Sequence, residues 1–225
     1  MASYATVDEL QVRTNMVAVL SAAKETEYEE IIEAISRKID RFCRRPDGFV
    51  ATAADETRYF LGSGKRYLRI PECTSITTVS VKDSYSDTTY DDWDTPTTVL
   101  AGDGDWFPSA GGPSRPIYNR TPYTLLQIDS NGDYTYFTKS YYGMVTVKIA
   151  AKWGYATTVP ADIQEACLAQ AAILIKRFEA SMDSTAGSSD LGTIVTSVRA
   201  AALTRDVREL LVDSKWVLPL YAGGY

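Results

Sequence analysis

The sequence predicts an α+β protein: a small bundle of two long helices plus a short N-terminal helix, an inserted antiparallel β layer, and an extended C-terminal arm. Three observations predict it. Ile31, Ile32, Ile35, Ile39 and Phe42 recur at helical spacing, as do Ile163, Ala166, Cys167, Ala171, Leu174, Ile175, Phe178 and Met182. Between these segments, Val145, Val147 and Ile149 alternate with Thr146, Lys148 and Ala150, the period of a half-buried strand. After the second long helix, a run of small residues at 181–192 precedes an apolar, aromatic terminus.

Thr6-Val7-Asp8-Glu9 reads as a capping box that opens a helix over 6–13. A second box, Thr26-Glu27-Tyr28-Glu29, is expected to open the first long helix, 26–44. Arg37, Lys38, Arg41, Arg44 and Arg45 gather at its end. They complement the helix dipole on a solvated face, or they meet an acidic partner or DNA phosphate. Pro46-Asp47-Gly48 stops the helix.

A β-rich insertion spans 57–153. Thr57–Leu61 and Tyr67–Ile70 read as a hairpin around Gly62-Ser63-Gly64, and Ile76–Lys82 as a further strand. Gly64-Lys65 is not a P-loop, because Tyr59 and Arg66 stand where glycine and Ser or Thr are needed. Thr124–Ile128 and Tyr134–Thr138 are expected to form a hairpin about Asn131-Gly132. The same loop resembles a calcium loop only at its start: Tyr134 and Ser140 replace the glycine and the glutamate an EF-hand requires. The aromatics of 83–142 form either the core of a small β layer or a sugar- or protein-binding surface.

Gly154 breaks the last strand, and Pro160 suits the first turn of the second long helix, 161–182. Thr193–Val198 is expected to be extended, and Thr204 to cap a short helix. Residues 1–182 thus form one domain, and 183–225 a linker and docking arm. The arm carries Val207, Leu210, Leu211, Trp216, Leu218, Leu220, Tyr221 and Tyr225, which need an apolar surface on their own domain or on a neighbour.

The 225 residues include no histidine, which removes Ser-His-Asp and Cys-His nucleophiles and histidine metal ligands. A net charge of −6 argues against wrapping nucleic acid, though an acidic ring lining would let a duplex slide. No run approaches the ~18 apolar residues of a membrane span. Cys43, Cys73 and Cys167, odd in number and far apart, are expected to be buried free thiols.

Three stretches in this order resemble the head–tail connector (adaptor, or head completion) proteins of tailed bacteriophages: EYEEIIEAISRKIDRFCRRP, ETRYFLGSGKRYLRIPECTSITTVSV, and VTVKIAAKWGYATTVPADIQEACLAQAAILIKRFE. They fall within 27–82 and 145–179, about two fifths of the chain. The Tyr-rich segment 83–142 departs from the compact members, and the tail after 183 has no matching motif. The resemblance implies a structural virion protein and no enzyme. It implies a homo-oligomeric ring, usually of twelve copies, under the portal protein ring, extending the DNA channel and meeting the next neck or tail protein (stopper or tail terminator). Genomic dsDNA would pass through without sequence-specific binding. In that family the C-terminal segment commonly reaches the portal. The implied location is the virion neck after assembly in the host cytoplasm, with no cofactor, metal or membrane. Alternatives are another neck protein (head closure or tail completion), a carbohydrate-binding module using 83–142 with Trp93 and Trp106, and a carboxylate hydrolase using Asp91, Asp92, Asp103 or Asp105.

Overall fold

The computed structural model describes residues 3–16, 20–98, 102–184 and 202–218, with side chains omitted for 177–184. The fold is α+β, in two compact units: Met1–Gly48 with Val159–Leu220, and one built on Phe49–Thr158.

The first unit is helical: α1 (Val7–Thr14), α2 (Ala22–Cys43), α3 (Ala161–Ser184) and α4 (Arg205–Asp213). The box at α1 forms as read: Glu9 N–H donates to Thr6 Oγ1 at 3.3 Å and Thr6 N–H to Glu9 Oε2 at 2.9 Å. α2 begins a turn earlier than expected, at Ala22. Thr26 is already interior, its hydroxyl donating to Ala22 O. Ala22-Ala23-Lys24-Glu25 are strong helix formers, so the helix extends past the apparent cap. It ends at Arg44 in the left-handed region (φ 59°), and Arg45 N–H returns to Asp40 O at 2.9 Å.

Ile31, Ile32, Ile35, Ile39 and Cys43 of α2 are buried, as are Ile163, Ala166, Cys167, Ala171, Leu174 and Ile175 of α3. The two helices pack on each other as expected, and small residues let them approach: Ser36 Oγ lies 3.7 Å from Cys167 Sγ. α1 packs on both, and α4 packs on α3. Phe178 and Met182 lie outside the described side chains.

The second unit is a six-stranded antiparallel sheet of β1 (Glu56–Phe60), β2 (Tyr67–Val81), β3 (Asp91–Asp92), β4 (Trp106–Ser109), β5 (Tyr123–Ile128) and β6 (Val147–Trp153). Its order is β1-β6-β2-β5-β4, with β3 on β2. From Val147 the expected alternation holds: Val147, Ile149, Ala151 and Trp153 are buried, while Lys148, Ala150 and Lys152 are half-buried; Thr146, expected outward, is buried where its hydroxyl meets Gly62 N–H, and Val145 is half-buried. Trp153 anchors the edge, its Nε1–H donating to Glu56 O at 2.7 Å.

Two expected hairpins do not form. β1 pairs with β6, and β6 then separates β1 from β2. The Gly62-Ser63-Gly64 segment docks on 137–146 instead of turning back. Gly62 N–H donates to the Ser140 and Thr146 hydroxyls, and Gly64 N–H to Phe137 O at 2.9 Å. A Cβ on Gly62 would stand 1.8 Å from Thr138 O, so only glycine permits that approach. The two strands expected at 67–70 and 76–82 are one 15-residue strand, β2. It bends through register shifts, the first across Pro71, where a missing N–H costs no ladder bond.

The Asn131-Gly132 hairpin is likewise replaced. β5 pairs with β2 and β4, and 134–138 is not a strand. Here Asp105 competes with the ladder, its carboxylate accepting Asp94 N–H at 2.7 Å and Asp133 N–H at 3.0 Å. Trp93, Trp106 and Phe137 enter the core with Leu126, Ile149 and Trp153.

Candidate functional site

The last turn of α2 concentrates positive charge beside helical carbonyls that the helix itself cannot satisfy. The segment after α4 supplies their partners. Leu218 N–H donates to Cys43 O at 3.0 Å. Arg44 Nη1 donates to Leu218 O at 2.7 Å, and Arg45 Nε to Trp216 O at 3.3 Å. Trp216 Nε1–H reaches Asp162 Oδ2, at the start of α3, at 3.3 Å. Three of these four bonds read main chain, so they recognise an extended segment more than its side chains.

Beside them is a groove of about 530 Å³ lined by Arg37, Asp40, Arg41, Arg44, Arg45 and Pro46. Arg37 Nη1 lies 2.9 Å from Asp40 Oδ2, and its guanidinium sits 5.5 Å from the Tyr4 ring centre. The Tyr4 hydroxyl also donates to Asp40. Burial raises the Asp40 carboxyl, while Tyr4 and Arg37 pull it down. Lys38 is lowered by burial and then by the charge of Arg41. A second groove, about 480 Å³, runs between the start of α1 and the first half of α2, and Asp8, Glu25, Glu29, Glu30 and Glu33 line it.

The arm residues divide. Val207 and Leu211 are 3% and 0% exposed, holding α4 to its own unit, and Leu210 is half-buried. Thr204 N–H donates to the buried Gln170 Oε1 at 2.8 Å, tying the start of α4 to α3, but its side chain makes no cap bond. Trp216 and Leu218 are half-buried on the arginine end of α2. Leu220, Tyr221 and Tyr225 lie outside the described residues, as does the segment 193–198.

In the sheet unit the clustered carboxylates hold backbone and hydroxyls. Asp92 Oδ1 accepts from Ser80 at 2.6 Å, and Asp103 accepts the Thr97 N–H at 2.9 Å. The Thr97 hydrogen bonds hold the Asp103 carboxyl below the usual range. Asp129 Oδ1 accepts Asn131 N–H at 2.9 Å, an Asx turn where the calcium-like pattern begins. Trp93 and Trp106, the residues of the sugar-platform alternative, are 4% and 2% exposed. Trp93 stacks on Tyr134 at 4.4 Å and on Phe137 at 5.1 Å, so the β-core reading describes them. The exposed aromatics are others: Tyr141 and Tyr142 lie 5.1 and 6.4 Å from the half-buried Tyr85 ring, and Tyr142 is 94% exposed at φ 55°. All three cysteines are buried and free. Among the described residues no group of three or more His, Cys, Asp or Glu is placed to hold a metal, and no helix is long and apolar enough to cross a membrane.

The clamp on the C-terminal segment has no local sequence signal, because its arginine partners stand more than 170 residues away and Asp162 54 residues away. The only hint was arginines beyond need at one helix end and an apolar tail in want of a surface.

No protein-family model matches the chain, and no curated protein matches it. Among solved structures, it is similar to a chain described as the neck of an empty GTA particle computed with C6 symmetry. The TM-score is 0.50 at 11% identity, over 96% of this chain and 91% of that chain. At that identity the likeness is one of fold, and it spans both units.

Proposed function

We propose that this chain is a structural neck protein of a phage-like particle: a head–tail adaptor that forms a ring below the portal, extends the DNA channel and receives the next neck or tail protein. The observation that carries the reading is the nearly full-length likeness in fold to a GTA neck chain. The motif order over 27–82 and 145–179 points to the same assembly by a separate route. The description of that neck, computed with C6 symmetry, is consistent with a ring, and the resemblance to the adaptors implies twelve copies. The role is mechanical, and it fits the use of Asp105 and Asp92, whose carboxylates accept hydrogen bonds from the protein's own backbone and a serine hydroxyl. The duplex passes through without base readout. In this reading, Trp216, Leu218, Leu220, Tyr221 and Tyr225 carry the portal contact, while Val207, Leu210 and Leu211 seat α4.

Removing the gene from a particle-producing cell tests the role. The expected product is DNA-filled heads separate from tails; tailed, infective or transfer-competent particles would overturn it. Another neck position, head closure or tail completion, is the second reading, since the similar chain's description names the neck and no level within it. It predicts the same unjoined heads, but no binding of this chain to an isolated portal.

A further inference from the structure

We propose that copies of this chain join head to tail through one charged stripe on α2, the acidic first half of one copy meeting the basic last turn of the next. The inference rests on the ring reading above and names the residues that close the ring. At 100° per residue, Glu30, Glu33, Arg37 and Arg41 fall within about 80° of one another, on the side away from Ile31, Ile35 and Ile39, and Arg44 follows as the C-cap. Glu30, Glu33, Arg41 and Arg44 are exposed. The acidic groove opens at one end of this stripe and the arginine groove at the other.

Helix-dipole complementarity accounts for the basic end but not for the acids. The dipole acts within the first and last turns. α2 starts at Ala22, so Glu29, Glu30 and Glu33 stand well past its first turn. Glu33 and Arg37 stand at i,i+4 and Arg37 pairs with Asp40 within the helix, which leaves Glu30 at one end of the exposed stripe and Arg41 at the other without an opposite charge at i,i+4. Like charges crowd at both ends. Glu30 adds to the burial that raises Glu27, against Lys24, and Arg41 adds to the burial that lowers Lys38. A surface with one sign at each end matches the next copy of itself. Repeated about a closed rotation, that heterologous contact makes a ring.

The test uses the full chain, with its native mass read alone and on the portal ring of its own particle. One variant reverses the acidic end (Glu29→Lys, Glu30→Lys, Glu33→Lys) and another the basic end (Arg41→Glu, Arg44→Glu). Because Arg44 also holds Leu218 O, Arg41→Glu alone serves as the second basic-end variant. Each variant alone is expected to need about tenfold or more protein to assemble than wild type, the wild-type contact weakening with salt. Mixed one to one, an all-basic and an all-acidic stripe alternate, and assembly returns. Misfolded chains could not give that rescue.

Variants that assemble like wild type overturn the contact and leave the ring standing, as does a mixture that fails to rescue. If such variants assemble normally but lose retention of duplex DNA, the basic end serves phosphate instead. Assembly that stops at two copies indicates an antiparallel isologous pair and overturns the head-to-tail arrangement. A wild-type chain that forms no ring in either condition overturns the ring reading and this contact together.

Discussion

Asp105 shows how one side chain decides the path of a segment. Its carboxylate accepts the N–H of Asp94 and of Asp133, while its own carbonyl accepts Asp129 N–H at 2.9 Å. The Asn-Gly pair that would otherwise turn a hairpin is thereby held against Asp105, which a Cβ on Gly132 would approach to 2.7 Å. Asp105→Ala orphans two part-buried donors, the N–H groups of Asp94 and Asp133, and should cost about 1 kcal/mol for each. Urea unfolding should show that loss, and Asp105→Asn, which keeps one acceptor, should lose less. Gly62→Ala forces a contact with Thr138 O and should destabilise by about 1–3 kcal/mol or more in the same assay. The cysteines give a pH prediction. Burial pushes Cys43, Cys73 and Cys167 up to about 12 from an ordinary 9.0. Between those values the unfolded thiols lose protons that the folded ones keep, so stability is full below pH 9 and falls as pH rises toward 12. A thiol reagent at pH 8 should label the folded chain slowly and the urea-unfolded chain at once.

Helices and strands differ in how much their own residues settle. α2 and α3 bury apolar residues that are neighbours one turn apart, so 3.6-residue periodicity alone marks both. The start of α2 was misplaced because Thr26 and Glu29 make a cap-like pattern inside a helix that Ala22 and Ala23 already favour. In the sheet, β6 alternates cleanly and was legible, but its partners were not. Glu56 pairs with Ala151 across nearly the whole insertion, and the glycine turn that suggested a local hairpin is fixed by Ser140 and Thr146. Long-range pairing leaves no mark in a window of a few residues. The C-terminal arm was legible as apolar, and its seating on the arginines of α2 was not. At this scale Leu211→Ala should cost about 2–5 kcal/mol, the range for a buried leucine. If α4 is seated as described, limited proteolysis should then cut the variant between α3 and the C-terminus faster than wild type. Equal cutting rates would contradict that seating.

For the whole molecule, the central claim is that two modest units and an apolar terminus make sense as a repeating part of a larger ring. The charge stripe on α2 and the exposed Tyr141 and Tyr142 are the surfaces that such a ring would cover. Proteolysis of the terminal segment should slow when the portal is present; equal cleavage in both states would remove the arm from the portal contact. The most direct measurement is the native mass of the purified chain, alone and mixed with the portal ring of the same particle. The account predicts the portal mass plus a fixed multiple of 24.8 kDa. A portal that gains no mass at micromolar chain and low salt would contradict it.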